Sequence, residues 1–478
     1  MDYSVSNLDD IKEIFENLKT PIFYVANVAD RGIGLENIIP NYHIICIDHD
    51  DEVDYLEKAG AKIFCLEKEF GGKNVIFRSS AVLLGQEAVK KYIKENTPRD
   101  AQAAVVVFKP SLAAEKIALE NNWKILNNPA VLSRAIEDKF NFIFIAKSLR
   151  IRIPDAETID FGRLSYWELK KYYDYFVVQL KSGYAGSSTF FIRNNDDYIK
   201  LTDAFFHDST GNKSFPVKVS KFIHGIPATV NACVAGQDIY VGKPCYQITG
   251  EELCTNNRST TCGNDWGALS LSAKAFGEIN EIGQKIGRYL KDKGYKGIFG
   301  LDFIISEKND DVYLIEINPR FVASIPFYTK LEIKNSAIPM FALHFLDFLE
   351  IKYDISYSAK ESFGKNVSAI SGSQLVLRNK ERKICVSSGE TRSGVYCLKD
   401  GKLDFLRPGY SPLDLKAPNE FIILAAAKGR KITPENEAAR IESLSSFVSS
   451  DYHLTADAEL IAREIYEKLK LVIYDKVL

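Results

Sequence analysis

The chain has 478 residues, 26% of them charged and 46% hydrophobic, with a formal net charge of -2. That length allows about three domains with sizeable cores, and so even a charge balance gives no electrostatic footprint for nucleic acid. No apolar run is long enough to span a membrane and the opening MDYSVSNLDDIKEIF is acidic and amphipathic, so neither a membrane segment nor a signal peptide is expected, and a cytoplasmic location is.

The first 125 residues alternate strand and helix. Residues 21–26 (PIFYVA), 43–48 (HIICID), 62–65 and 104–108 (AVVVF) read as buried parallel strands, with helices over 51–59 and 111–121. This predicts a small Rossmann-like α/β layer. Gly32, Gly34 and Asp48 mimic a dinucleotide fingerprint, but R-G-I-G lacks the G-x-G-x-x-G spacing, so a nicotinamide cofactor is not expected.

Residues 129–154 read as a helix, a turn near Asp138, a second helix and an extended exit at Ile153-Pro154. Residues 175–192 (YFVVQLKSGYAGSSTFFI) read as two strands around a loop of small residues. There Gly183 and Gly186 reach positive φ without strain, and Ser187 and Ser188 let backbone N–H groups approach an anion. Residues 217–225 (VKVSKFIHG) form a further strand; His224 reads as a packing or surface residue.

Residues 242–266 have no strong period, and a long irregular segment inside a compact domain is usually functional. Arg258, Asn264 and Asp265 make it a candidate substrate loop. Apolar positions at Ala275, Ile279, Ile282, Ile286 and Leu290 predict an amphipathic helix over 271–293, ending at Gly294.

Residues 297–320 (GIFGLDFIISEKNDDVYLIEINPR) read as a β-hairpin around a polar turn at 306–311. Alternation separates Leu301 and Phe303 from Asp302, and sets Leu314, Glu316 and Asn318 opposite Tyr313, Ile315 and Ile317. Asp302, Glu316 and Asn318 would then line one face, with Arg320 just beyond. Two carboxylates and an amide oxygen suit Mg²⁺, and an adjacent arginine offers planar donors to a phosphoryl group.

Beyond about residue 355, QLVLR, KICVSSG, GVYCL and FIILAAA read as short strands, followed by a helix over 456–471. The eight cysteines contain no C-x-x-C pair, and no histidine near Cys254 and Cys262 completes a zinc set, so reduced thiols are expected.

The pattern D-F…Y-L-I-E-I-N-P-R resembles the metal-binding end of the ATP-grasp superfamily, carboxylate–amine ligase type, with a biotin-carboxylase-like core. The resemblance covers roughly 125–345. It implies ATP and Mg²⁺ (or Mn²⁺ in its place) as cofactors, with Asp302, Glu316 and Asn318 on the metal. Arg320, with Asn318, would serve the transferred phosphoryl group. It implies Lys139 and the loop residues Gly183, Gly186, Ser187 and Ser188 on the phosphates, and the backbone of Lys221, Phe222 and Ile223 on adenine. Where such ligases end the strand before the loop with a lysine, this chain has Gln179; Lys181, two residues on, faces the same side and is the expected substitute.

The fold so implied is α/β: a Rossmann-like pre-grasp domain (1–125), an ATP-grasp core (126–350) with a mobile lid at about 155–220, and an α+β, β-rich C-terminal domain (351–478) with its terminal helix. The activity implied is ATP-dependent joining of a carboxylate to an amine through an acyl phosphate, releasing ADP and phosphate. Small-molecule acid and amine substrates are expected, with no nucleic acid or membrane partner; a homodimer is one assembly such a chain could form. Two alternatives stand beside it: a biotin-carboxylase-like or carbamoyl-phosphate-type enzyme using bicarbonate, and a non-catalytic ATP-binding regulatory protein. A short supply of glycines in the loop and the lack of a biotinyl-carrier segment or fused second grasp half weigh against the first. The complete D…E-x-N-x-R set weighs against the second.

Overall fold

Side chains at both faces of the first strands are apolar, and the computed structural model shows why. It describes residues 3–72, 75, 78–181, 189–206, 214–357, 359–360, 367–389 and 391–474. Strands Lys62–Cys65, Tyr42–Cys46, Ile22–Val25, Ala104–Val107 and Lys124–Ile125 form, in that order, one parallel sheet. Phe23, Val25, Ile45, Val105 and Val107 pack into one core, while Tyr24, Ile44 and Val106 pack into another on the opposite face. Chain order reverses between Ile22–Val25 and Ala104–Val107, the switch point at whose carboxyl ends sheets of this kind form a crevice. Arg31 and Lys109 follow those two strands.

The next segment follows the sequence closely. Helix Ala130–Glu137 ends at Asp138, whose carboxylate caps helix Lys139–Ser148 by accepting from the N–H groups of Phe140 and Asn141 at 2.9 and 3.0 Å. A small antiparallel sheet then follows, ordered Ala156–Asp160, Pro216–Lys221, Phe176–Leu180, Thr189–Ile192. It has its own core, including Phe176, Val178, Val217, Val219 and Ile192.

A long antiparallel sheet carries the rest. Its order is Val312–Asn318, Gly297–Ser306, Gly225–Ala235, Cys245–Thr249, Thr261–Asp265, Ser373–Arg378, Glu437–Ser443, Glu420–Ala425, Gly394–Lys399 and Lys402–Arg407. The 297–318 hairpin is thus at one end, and the sheet runs unbroken past residue 350 into the C-terminal strands. Helix Ala273–Asp292 covers the hairpin end with the apolar stripe expected of it. Helix Ala456–Leu469 is shorter than expected, because Leu471–Ile473 leaves it to pair with Cys385–Ser387.

Residues 242–266 are not one irregular loop. Their Thr, Tyr and Cys residues build the strands Cys245–Thr249 and Thr261–Asp265, which join the two halves of the long sheet. Asp265 is fully buried and accepts from the N–H groups of Gly267, Ala268 and Phe447 and from Ser446 Oγ at 2.6–3.0 Å. Asn264 is buried against Cys245, and Arg258 is exposed in the turn. All eight cysteines are unpaired. No helix among the described residues is long and apolar enough to cross a membrane.

Candidate active site

Asp302 and Glu316 are direct partners across the hairpin, as are Gly300 and Asn318. A β-bulge lies one residue further along, where Phe303 pairs with Leu314 and leaves Ile315 unmatched. Simple alternation therefore fails there: Leu314 is fully buried in the same core as Ile317, not on the polar face with Glu316. The bulge lets Leu314 and Ile317 both reach the core while Glu316 and Asn318 turn away from it together.

Hydrogen bonds order the polar face. Asn318 donates from Nδ2 to Asp302 Oδ2 at 2.9 Å and accepts at Oδ1 from Arg320 Nη2 at 3.0 Å. Arg320 also donates from Nε to Glu137 Oε1 at 3.0 Å. Lys109 pairs with Glu137 at 3.2 Å, so a chain of charges runs from the parallel-sheet crevice to the hairpin. Glu316, partly buried, makes no hydrogen bond or ion pair among the described residues.

The electrostatics follow from this crowding. Burial, then the neighbouring Glu316 carboxylate, pushes Asp302 up to about 6. Burial also raises the Glu137 carboxyl, but Arg320 and Lys109 outweigh it and hold Glu137 below its ordinary value. Burial lowers the Lys139 ammonium against the opposing pull of Glu316 and Glu137. Lys139 thus shares the space of the hairpin carboxylates, at the first turn of its helix.

A cavity of about 370 Å³ lies beside the site, lined by Lys147, Ile153, Pro154, Asp155, Ala156, Lys221, Ile223 and Tyr313. Two of the three backbone groups expected to read a base are already used. Lys221 N–H donates to Asp155 O at 2.8 Å and Phe222 N–H to Tyr175 O at 3.0 Å. Among the described residues the N–H of Ile223 has no acceptor.

Residues 136–324, which hold this hairpin, this cavity and Lys139, match the family model described as the ATP-grasp domain. The chain carries an ATP-grasp domain. The arginine-specific large chain of carbamoyl phosphate synthase from Halalkalibacterium halodurans is 21% identical over 196 residues, 41% of this chain and 16% of that one. The chain spans only 13–20% of the length of the curated relatives it matches. Among solved structures, the biotin carboxylase domain dimer of Hydrogenobacter thermophilus 2-oxoglutarate carboxylase, with MgADP, ADP and bicarbonate, has a TM-score of 0.56 at 13% identity. It covers 89% of this chain and 86% of its own. The carboxyaminoimidazole ribonucleotide synthase of Aspergillus clavatus, solved with ATP, has a TM-score of 0.52 at 15% identity, covering 95% of this chain and 99% of its own. At such identities the likeness is one of fold.

Within the ATP-grasp domain, Asp302, Glu316, Asn318, Arg320 and Lys139 come together. Gly183, Gly186, Ser187 and Ser188 lie outside the described residues. Gln179 is buried and donates to Thr189 Oγ1 at 3.1 Å. Lys181, expected in its place, has a side chain 65% exposed and 3.6 Å from the Asp138 carboxylate, just past the end of the strand at Leu180. His224 packs against Phe222 and Tyr175.

Three residues escaped the sequence reading: Glu137, Lys109 and Lys218. Glu137 immediately precedes Asp138-Lys139, and its position at a helix end was a usable signal. Lys218 showed as a lysine between two valines of a central strand.

Proposed function

We propose that this chain is an ATP-dependent carboxylate–amine ligase that activates an acid as an acyl phosphate, releases ADP and phosphate, and forms an amide or peptide bond. The bulged hairpin carries the reading. It holds two carboxylates side by side with an amide and an arginine in one hydrogen-bonded, partly buried group.

The donors fit Mg²⁺, or Mn²⁺ in its place: they are hard oxygens, and among the described residues Glu316 makes no hydrogen bond or ion pair. Asp302, Glu316 and Asn318 would hold the ion, which when bound would supply charge neutralisation for phosphoryl transfer.

The chain's own residues do the rest. The cavity lined by Ile153, Tyr313 and Ile223 receives the base, with the Ile223 N–H as its donor. Lys139 holds phosphate oxygens, and Arg320, fixed by Glu137 and Asn318, stabilises the group in transfer. The crevice at the strand reversal receives the acid, where Lys109 lies beside Glu137 and Arg31 donates to Ala323 O at 3.4 Å. Closure of the 156–221 sheet over the site would exclude water that hydrolyses an acyl phosphate.

The curated relatives are carbamoyl phosphate synthase chains, which favours bicarbonate as the second candidate acid. Incubation with MgATP and pooled amino acids and small acids tests both, by ADP, AMP and product masses. ADP with a product of acid plus amine less water supports the ligase; a carboxylated or carbamoyl product selects bicarbonate. AMP release contradicts the acyl phosphate.

A further inference from the structure

Lys218 lies in the central strand of the small antiparallel sheet, between Val217 and Val219, which are fully buried in that sheet's core. Alternation turns Lys218 and Ser220 to the opposite face. There Lys218 is only 3% exposed, with its Nζ 4.7 Å from the centre of the Phe142 ring. Among the described residues it makes no hydrogen bond or ion pair.

A buried ammonium with no carboxylate of its own is costly, and a cation–π contact offsets only part of that cost. Its surroundings add to the imbalance. Burial, then the Lys139 ammonium, pulls Lys218 down to about 8, with Glu316 opposing. Lys218, Lys139 and the hairpin carboxylates therefore share one poorly solvated space. Its direct cross-strand partner is Gln179, whose amide is turned to Thr189 and neutralises nothing.

We infer that Lys218 is a second phosphate-binding cation of the nucleotide site, reaching across the strand pair from the position opposite Gln179 and acting with Lys139 on a nucleoside polyphosphate. The inference rests on the proposed nucleotide site and adds a residue that local sequence order around the small-residue loop does not reveal. Lys181, exposed and next to Asp138, is the rival.

The test is equilibrium binding of a fluorescent ADP analogue with Mg²⁺ to the full chain and its variants, with thermal unfolding read alongside. Lys218→Gln should weaken binding about 10- to 100-fold without lowering the unfolding temperature. The exchange Gln179→Lys with Lys218→Gln should restore most of it, because the cation returns to the same rung of the sheet. Should Lys218→Gln fail to fold, Lys218→Met removes the charge while keeping the length, and must show the same loss. Wild-type affinity in either folded Lys218 variant, or a larger loss in Lys181→Gln, overturns the inference while leaving the nucleotide site standing. A wild-type chain that binds no nucleotide overturns the proposed function and, with it, this inference.

Discussion

Arg320 donates from Nε to Glu137 Oε1 at 3.0 Å, tying the exit of the 297–318 hairpin to the helix that precedes Lys139. The contact aims the one arginine of the hairpin by a group 183 positions away in sequence. In the proposed mechanism Glu137 is therefore a positioning residue.

Removing it should leave the nucleotide pocket intact while releasing the guanidinium. Glu137→Ala is expected to lower kcat about 10²-fold with the KM for ATP changed less than about threefold. Steady-state kinetics check this. A kcat unchanged from wild type would show that Arg320 needs no anchor.

Glu316→Gln keeps the shape of the side chain and removes its charge. Turnover should fall by roughly 10³-fold or more. Stability should not fall with it, because Glu316 makes no hydrogen bond or ion pair among the described residues and its charge opposes that of Asp302. Near-normal activity in the folded variant would refute the metal assignment.

How far the sequence showed this site depends on how local each feature is. Asp302, Glu316, Asn318 and Arg320 stand within one hairpin, and a carboxylate inside an apolar strand is visible by eye. The bulge at Ile315 was not, because alternation assumes an unbroken ladder and only packing of both Leu314 and Ile317 into the core demands the extra residue. Lys218 was hidden because its meaning depends on which strand it pairs with. The 242–266 segment misled for a related reason: its turn-rich composition conceals two short strands that become regular only between Gly225–Ala235 and Ser373–Arg378.

Gly263 stands where that long sheet joins its C-terminal half. Its φ is +148, and a Cβ there would collide with the carbonyl oxygen of Gln374 on the paired strand. Gly263→Ala is expected to cost ~3 kcal/mol or more, from backbone strain and overpacking together. Chemical denaturation measures it; a loss below about 1 kcal/mol would mean the two strands can part without cost.

His344 offers a pH handle on the fold. Its Nδ1 accepts from Ile298 N–H at 3.2 Å and its Nε2 faces Leu126 O at 2.9 Å, which leaves no room for a second proton. Burial lowers it from 6.5 to about 4. The unfolded chain takes the proton first, so this contribution is complete above about pH 6.5 and is lost as pH falls toward 4. It amounts to something on the order of 3 kcal/mol. His344→Gln should flatten the dependence of stability on pH in that window, whatever its effect at pH 8. An unchanged slope would contradict the buried neutral ring.

The central claim is that the hairpin site makes an acyl phosphate. Once the pooled assay names the acid, that acid labelled with ¹⁸O in its carboxyl group tests the claim most directly. Mass spectrometry of the released phosphate should find one labelled oxygen, carried over when the amine displaces phosphate from the activated carbonyl. Unlabelled phosphate, released along with product, would contradict the account.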